Sequence, residues 1–387
     1  MDGAKSALDR VGRPEELHRA TMRRLGEIDW DFPTQSSESP FSALHWHPCR
    51  FPSQIPAVSI SRLTGSTERV LDPFMGSGTT LIEAQRLGRS SVGVDINPVA
   101  CMMVRSKTLP IAAEALSQFA DRARLRLIAE WDRIPLGELP YQVQSEKWYT
   151  PSTIRDLRKI WHLINLDEYK SELLYGVFSA ILLPSCRETR HWGYICDNTN
   201  PKTQKEVDVR DLFLNTLSKY IKAYAERDRS LSGKIASAEI IQGDSASALS
   251  NLPDNYCSAM VTSPPYYGVA DYVKAQRLSM EWFSLPIEPF RRGEIGARSK
   301  RHRRNSAESY LEELALVFEQ AYRVLKSGAV GIVVFGQSPS RENLEPDFVQ
   351  RICAAGFTVE LERKRQIPSG RRMRPSLHNE TVLVVRK

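Results

Sequence analysis

The chain reads as an α/β protein: a mostly parallel, doubly wound sheet with a helical insertion and an antiparallel C-terminal hairpin. Three observations predict this. Arg69-Val70-Leu71 is a short apolar strand that breaks at Asp72-Pro73-Phe74-Met75-Gly76-Ser77-Gly78 into a helix starting near Thr79. A second strand over 91–94 stops at Asp95-Ile96-Asn97-Pro98, and strand, helix, strand in that order opens a doubly wound sheet. The alternation then gives way to helical periodicity over 110–229 before apolar strands resume at 238–241, 257–262 and 329–335.

The other elements follow in order. Residues 1–43 are polar, with an amphipathic helix at 14–25 and a loop at 34–40, and read as an N-terminal arm. Residues 44–109 form the first part of the sheet domain, with a helix at 55–63 ahead of the first strand and one at 79–87 after it. The insertion, 110–235, holds helices at 112–128, 153–165, 170–182 and 207–227, with exposed loops expected at 188–194 and 197–202. Residues 236–387 complete the sheet. They add a locally helical apolar stretch at 279–282, a basic segment at 291–304, helices at 307–326 and 348–355, and the strands 357–361 and 381–385, which flank a basic, turn-rich segment at 363–374.

Composition narrows the setting. The 387 residues are 41% hydrophobic, enough for a large core, and no apolar run reaches the roughly 20 residues of a bilayer span. The first 30 residues lack an apolar signal core, so a cytoplasmic protein is expected. Six cysteines without a CxxC pair suit reduced, structural thiols. The net charge of +7 is modest, so the clustering of basic residues carries more information than the total.

Gly76 and Gly78 stand where a chain leaves a strand and turns closely past a ligand, which only a residue without Cβ permits. Asp95, closing the next strand, can bind the hydroxyls of a ribose. The third glycine of a dinucleotide fingerprint is absent, Thr80-Leu81 standing in its place, and so is the Gly-Lys-Ser/Thr end of a triphosphate loop. A nucleoside without pyrophosphate fits better, and S-adenosylmethionine is such a ligand. Asp244 would accept from its adenine amino group, and Asp72 would face its methionine end.

Ser263-Pro264-Pro265-Tyr266 follows the strand 257–262. Two prolines hold it extended and rigid. It can offer the Ser263 hydroxyl and the Pro264 carbonyl to an amino group, with Tyr266 as a stacking platform for a heterocycle.

Together, Asp72 to Thr80, Gly93-Val94-Asp95 and Thr262 to Tyr266 resemble the exocyclic-amino DNA methyltransferases, which modify cytosine N4 or adenine N6 using S-adenosylmethionine. The resemblance covers about 44–104 and 238–387. It implies a Rossmann-like class I methyltransferase sheet. It also implies cofactor contacts at Asp72, Phe74, Gly76, Gly78, Thr79, Thr80, Asp95 and Ile96, closure of Arg50 and Phe51 over the methionine end, and a flipped base held by Ser263, Pro264, Pro265 and Tyr266. The order of motifs is similar to family members whose insertion recognises the target. The basic segment lies after the catalytic motif, so recognition would be shared between the two regions.

A delocalised exocyclic amine is a poor nucleophile, and hydrogen bonds to Ser263 and the Pro264 carbonyl would orient it for direct transfer without a covalent enzyme intermediate. Ring-carbon methylation needs a thiolate, and neither Cys49 nor Cys257 is placed to supply it. Serine before Pro-Pro-Tyr favours cytosine N4 over adenine N6 in this family. The base must leave the duplex stack, a cost that an aromatic wall partly offsets; Tyr267, Tyr272 and Trp282 stand in reserve behind Tyr266.

Duplex DNA is the expected partner. Arg291, Arg292, Arg298, Lys300, Arg301, Arg303 and Arg304 are seven bases in fourteen residues, read as a phosphate clamp that is mobile without DNA. Arg363, Lys364, Arg365, Arg371, Arg372 and Arg374 would line the same groove. His45, His47 and Cys49 alternate but lack a fourth ligand, and Glu188, His191 and Cys196 lack zinc spacing, so no metal is expected. A site-specific cytosine-N4 DNA methyltransferase of prokaryotic type, with a cognate restriction endonuclease as a further candidate partner, is the preferred reading. An adenine-N6 enzyme, an RNA amino-group methyltransferase and a silent DNA-binding protein remain alternatives, and the sequence leaves the oligomeric state and the recognised bases open.

Overall fold

The computed structural model describes residues 14–32, 39–48, 52–188, 201, 206–231, 233–336, 343–367 and 379–387. Seven strands form one sheet: β1 (Arg69–Asp72), β2 (Ser90–Asp95), β3 (Ala238–Gln242), β4 (Cys257–Thr262), β5 (Leu325–Gly336), β6 (Thr358–Gln366) and β7 (Asn379–Arg386). Their order across the sheet is β3-β2-β1-β4-β5-β7-β6. The first five are parallel, and β7 runs antiparallel between β5 and β6. This is the sheet the sequence predicts, with its closing hairpin. All six residues of β4 are buried, as expected for a strand covered on both faces.

The chain proceeds from β1 outward through β2 to β3, then crosses back to place β4 on the other side of β1. That reversal opens a crevice beyond the carboxyl ends of β1 and β4, where open α/β sheets bind ligands.

Around the N-terminal half lie α1 (Pro14–Gly26), α2 (Gln54–Leu63), α3 (Thr79–Arg86) and α4 (Pro98–Lys107). Asn97 starts α4 by accepting the Val99 N–H at 3.0 Å, and Pro98 takes the first helical position, where its missing N–H costs nothing. The helical layer comprises α5 (Ala113–Ala129), α6 (Ser145–Trp148), α7 (Pro151–Ile164), α8 (Glu172–Ser185) and α9 (Val209–Ser230). The side chains of Thr150, Ser171 and Asp208 cap the last three. Toward the C-terminus come α10 (Ser245–Ser250), α11 (Tyr272–Ala275), α12 (Arg277–Trp282), α13 (Ile287–Gly293), α14 (Ser306–Val324) and α15 (Glu345–Ala354).

The helical layer is joined firmly to the sheet domain. Gly176 of α8 lies so close to α4 that an added Cβ would stand 2.2 Å from Ser106. Tyr224 donates to the Ser106 carbonyl at 2.7 Å, and the buried Arg227 guanidinium donates to the carbonyls of Leu109 and Ile111 and to Gln85. One apolar core runs from the layer through Phe41 and Leu44 to Trp282. Nor does the described part of the N-terminal arm stand apart: Leu25 and Trp30 pack in a core with Val70, Val261 and Val382. Glu188, expected in an exposed loop, is buried, whereas 189–200 and 202 fall outside the described residues.

Candidate active site

The turn after β1 is built on two glycines with different tasks. Gly78 has φ +81°, and a Cβ there would lie 2.6 Å from Val104, so its bareness lets α4 pack against the turn. Gly76 has φ +47° and lines the cleft, with His47 Cε1 3.3 Å from where its Cβ would be. Its N–H donates to Asp95 Oδ2 at 2.9 Å, and the Asn97 N–H donates to Asp95 Oδ1 at 2.7 Å. Asp95 thus ties the glycine turn to the start of α4. Burial lifts its carboxyl to about 6, against the opposing pull of those two N–H groups.

Asp72 is turned elsewhere. It is 1% exposed and accepts from the Thr262 hydroxyl at 2.7 Å and the Phe74 N–H at 3.1 Å, linking the ends of β1 and β4. Burial raises it to about 6 as well, and its Oδ2 has no hydrogen-bond partner.

Across the crevice, Ser263 Oγ lies 3.0 Å from the Val334 carbonyl and 3.2 Å from Tyr266 Oη. The Val334 carbonyl only accepts, and Tyr266 gives its own proton to Glu380, so the single Ser263 proton is shared between these two acceptors and the Oγ lone pairs remain for a donor. Tyr266 Oη donates to Glu380 Oε1 at 2.6 Å, and Glu380 forms a buried ion pair with Arg365. Arg365 Nε in turn donates to the Trp30 carbonyl at 2.9 Å. Behind the prolines, Tyr310 Oη donates to the Pro265 carbonyl at 2.8 Å.

A third wall comes from the basic segment. Gly293 presses on Ile96, where an added Cβ would stand 2.3 Å from Ile96 Cδ1. Glu294 accepts the Val273 N–H at 2.8 Å through Oε1 and lines the cleft beside Tyr272, whose ring stacks on His47 at 6.1 Å. Lys300 Nζ donates to the carbonyls of Arg292 and Glu294 and fixes this wall in place. The three walls bound one cleft that opens to solvent.

A family model described as DNA methylase, of the N6/N4 type, matches residues 14–106, which include the glycine turn and Asp95. The type II methyltransferase M.MvaI of Kocuria varians is 28% identical over 238 residues, 57% of this chain and 52% of that protein. M.BsoBI of Geobacillus stearothermophilus is 22% identical over 255 residues, 58% of this chain and 48% of that protein. Over these spans the chain is similar to the exocyclic-amino DNA methyltransferases. It spans about half the length of these two relatives. Among solved structures, the rRNA methyltransferase aviRa of Streptomyces viridochromogenes aligns over 91% of this chain and 94% of its own, at 11% identity and a TM-score of 0.41.

Of the positions expected to hold cofactor, Phe74, Gly76, Asp95, Ile96 and Asp244 line the cleft together with Ser263, Pro264, Pro265 and Tyr266. Four others do not. Asp72 is held at Thr262, Gly78 faces Val104, Thr80 donates to the Val261 carbonyl at 3.1 Å, and Thr79 lines a separate small cavity with Ser77 and Lys107. Asp244 is exposed and caps α10 through the Ser247 N–H at 2.9 Å. Arg50, Phe51, Arg371, Arg372 and Arg374 lie outside the described residues.

The expected phosphate clamp needs correction in part. Residues 291–304 form an ordered wall, with Arg291 paired to Glu288 at 2.8 Å and Lys300 donating to the wall's carbonyls. Arg301 donates to the Arg298 carbonyl at 2.9 Å, whereas Arg292, Arg303 and Arg304 are exposed at the surface. Arg365, read as part of a basic groove, is 2% exposed and belongs to the Glu380 ion pair. His45 bonds Ser179 at 2.8 Å, and no metal-binding cluster occurs among the described residues. Trp282 is core, and Tyr267 bonds Ser306.

Glu294 is the site residue that motif reading missed. The signal available was a single acid inside a run of seven bases.

Proposed function

We propose that this chain transfers a methyl group from S-adenosylmethionine to the N4 amine of a cytosine flipped out of duplex DNA. The observation that carries the reading is Ser263 Oγ, its proton taken up by the Val334 carbonyl and Tyr266 Oη, opening as an acceptor on the same cleft as Gly76 and Asp95.

The residues present fit the methyl donor. Gly76 exposes bare backbone, Asp95 brings a carboxyl to the end of β2, and Phe74, Val94 and Ile96 supply apolar surface for a purine. When bound, S-adenosylmethionine supplies a methyl group on a sulfonium sulfur that keeps the bonding pair as the methyl departs.

The target amine would donate one N–H to Ser263 Oγ, which draws its lone pair out of conjugation and fixes its direction. That pair forms the new C–N bond, and the amine releases one proton to water. Tyr266 holds the corner rigid through Glu380, and the His47–Tyr272 stack bounds the cleft, with His47 against Gly76. Exposed Arg292, Arg303 and Arg304 would meet phosphates, positioning the duplex without reading its sequence. The relatives' type II designation makes a cognate restriction endonuclease the partner to seek.

The test is labelled-methyl transfer to varied duplex DNA and to structured RNA, followed by mapping of the modified atom. Label on cytosine N4 supports the reading. Label on adenine N6, or transfer to RNA alone, replaces it.

A further inference from the structure

The wall segment carries a carboxyl that the glycine turn, Asp95 and the Ser-Pro-Pro-Tyr corner do not account for. Glu294 is 3% exposed and lines the cleft. Its Oε1 accepts the Val273 N–H, while its Oε2 is buried without a partner. A buried carboxyl oxygen left unpaired is costly, and such a group persists where a ligand satisfies it.

The position of that oxygen selects the ligand. The neighbouring Gly293 packs on Ile96, the residue directly after Asp95, so Glu294 stands on the side of the cleft where β2 ends. Asn97 Nδ2 reaches Gln276 Oε1 at 3.3 Å and joins the end of β2 to the helices beside this wall. Asp95 already accepts one N–H on each oxygen, from Gly76 and Asn97. A ribose brings two hydroxyl donors to this end of the cleft, and a second carboxyl there gives the second hydroxyl its own acceptor.

We propose that Glu294 is a cofactor-binding residue that accepts a hydrogen bond from a ribose hydroxyl of the methyl donor, working beside Asp95. The inference rests on the methyl-donor reading given above. It also gives the basic segment a second role: its outer face carries exposed arginines, and its one acid turns inward to the nucleoside.

The test is calorimetric binding of S-adenosylhomocysteine and of its 2′-deoxy and 3′-deoxy analogues to the full chain, for wild type and Glu294→Leu. Loss of one hydrogen bond to this carboxyl corresponds to roughly twofold to tenfold weaker binding of S-adenosylhomocysteine by the variant. For the analogue lacking the held hydroxyl, wild type and variant should bind alike. Equal affinity of both proteins for S-adenosylhomocysteine overturns the inference, and so does a loss that persists undiminished with both analogues. Failure of the wild type to bind S-adenosylhomocysteine overturns the methyl-donor reading and this inference with it. Thermal unfolding without ligand checks the fold. If the leucine variant has no cooperative transition, Glu294→Gln, which keeps an acceptor for the Val273 N–H, serves for the same comparison.

Discussion

Tyr266 Oη donates to Glu380 Oε1 at 2.6 Å, so the aromatic end of the Ser-Pro-Pro-Tyr corner is fixed by a buried ion pair in the C-terminal hairpin. The ring has little room to move: an added Cβ at Gly336 would lie 2.4 Å from it. If the proposed base-holding role is right, a ring held this firmly receives its ligand without reordering itself, which lowers the entropy cost of binding.

The ion pair and the hydroxyl should separate by mutation. Glu380→Gln keeps an acceptor for Tyr266 but leaves the Arg365 guanidinium buried without its counter-charge, and should cost about 3–5 kcal/mol. Tyr266→Phe keeps both the ring and the pair, and should cost about 1–2 kcal/mol. Urea unfolding measures both. A Glu380→Gln midpoint equal to that of wild type would refute the structural role given to the pair.

Gly78→Ala should destabilise for two additive reasons, the left-handed φ of +81° and the 2.6 Å approach to Val104. The first is worth about 1–2 kcal/mol. Combining it with Val104→Ala should recover the steric part but not the backbone part. A double-mutant cycle on unfolding free energies shows whether the two positions couple; strict additivity would mean that the side chains do not meet.

Ser263→Ala and Asp95→Ala should divide transfer from binding. Loss of the Ser263 acceptor should slow single-turnover methylation roughly tenfold to a hundredfold at saturating cofactor while leaving cofactor affinity nearly unchanged. Asp95→Ala should weaken cofactor binding first, since it also releases the N–H groups of Gly76 and Asn97. Equal effects of both variants on affinity would remove the distinction between the two roles.

Glu294 gives a signed pH dependence. Burial, reinforced by nearby Asp271, raises its carboxyl from 4.5 to about 8, while the Val273 N–H pulls the other way. Between those values the folded chain holds a proton that the unfolded chain has lost, so stability falls as pH rises from about 4.5 to about 8 and levels off above. Asp72 and Asp95, raised from 3.8 to about 6, act in the same sense over a lower window. The Glu294→Gln variant should lose a slope totalling on the order of a few kcal/mol, seen as a wild-type-minus-variant difference in unfolding free energy across that window. Parallel stability curves for the two proteins would contradict the raised carboxyl.

Much of this arrangement is legible in the chain because local signals agree with the tertiary result. The strand ends at Asp72, Asp95 and Thr262 are marked by apolar runs meeting polar or rigid residues, and the sheet brings all three to one crevice. What escapes is contact between distant segments. Gly78 looks like a ligand glycine because its neighbour Val104 lies 26 positions away and nothing local announces the approach of α4. Arg365 looks like groove charge because its partners, Glu380 and the Trp30 carbonyl, come from a different strand and from the N-terminal segment. Glu294 is hidden by the bases around it, since a charge run is read by its sum and this acid faces the other way.

The bond from Trp30 through Arg365 to Glu380 and Tyr266 also sets a timetable. Its partners are separated by as many as 335 positions, and Glu380 lies on β7. During synthesis the glycine turn can form as soon as β1 and β2 have emerged, long before the corner that would grip the target base acquires its anchor. Until β7 inserts between β5 and β6, Tyr266 lacks the carboxylate that holds it. A nascent chain would therefore complete the framework of its glycine turn first and the anchored Ser-Pro-Pro-Tyr corner last.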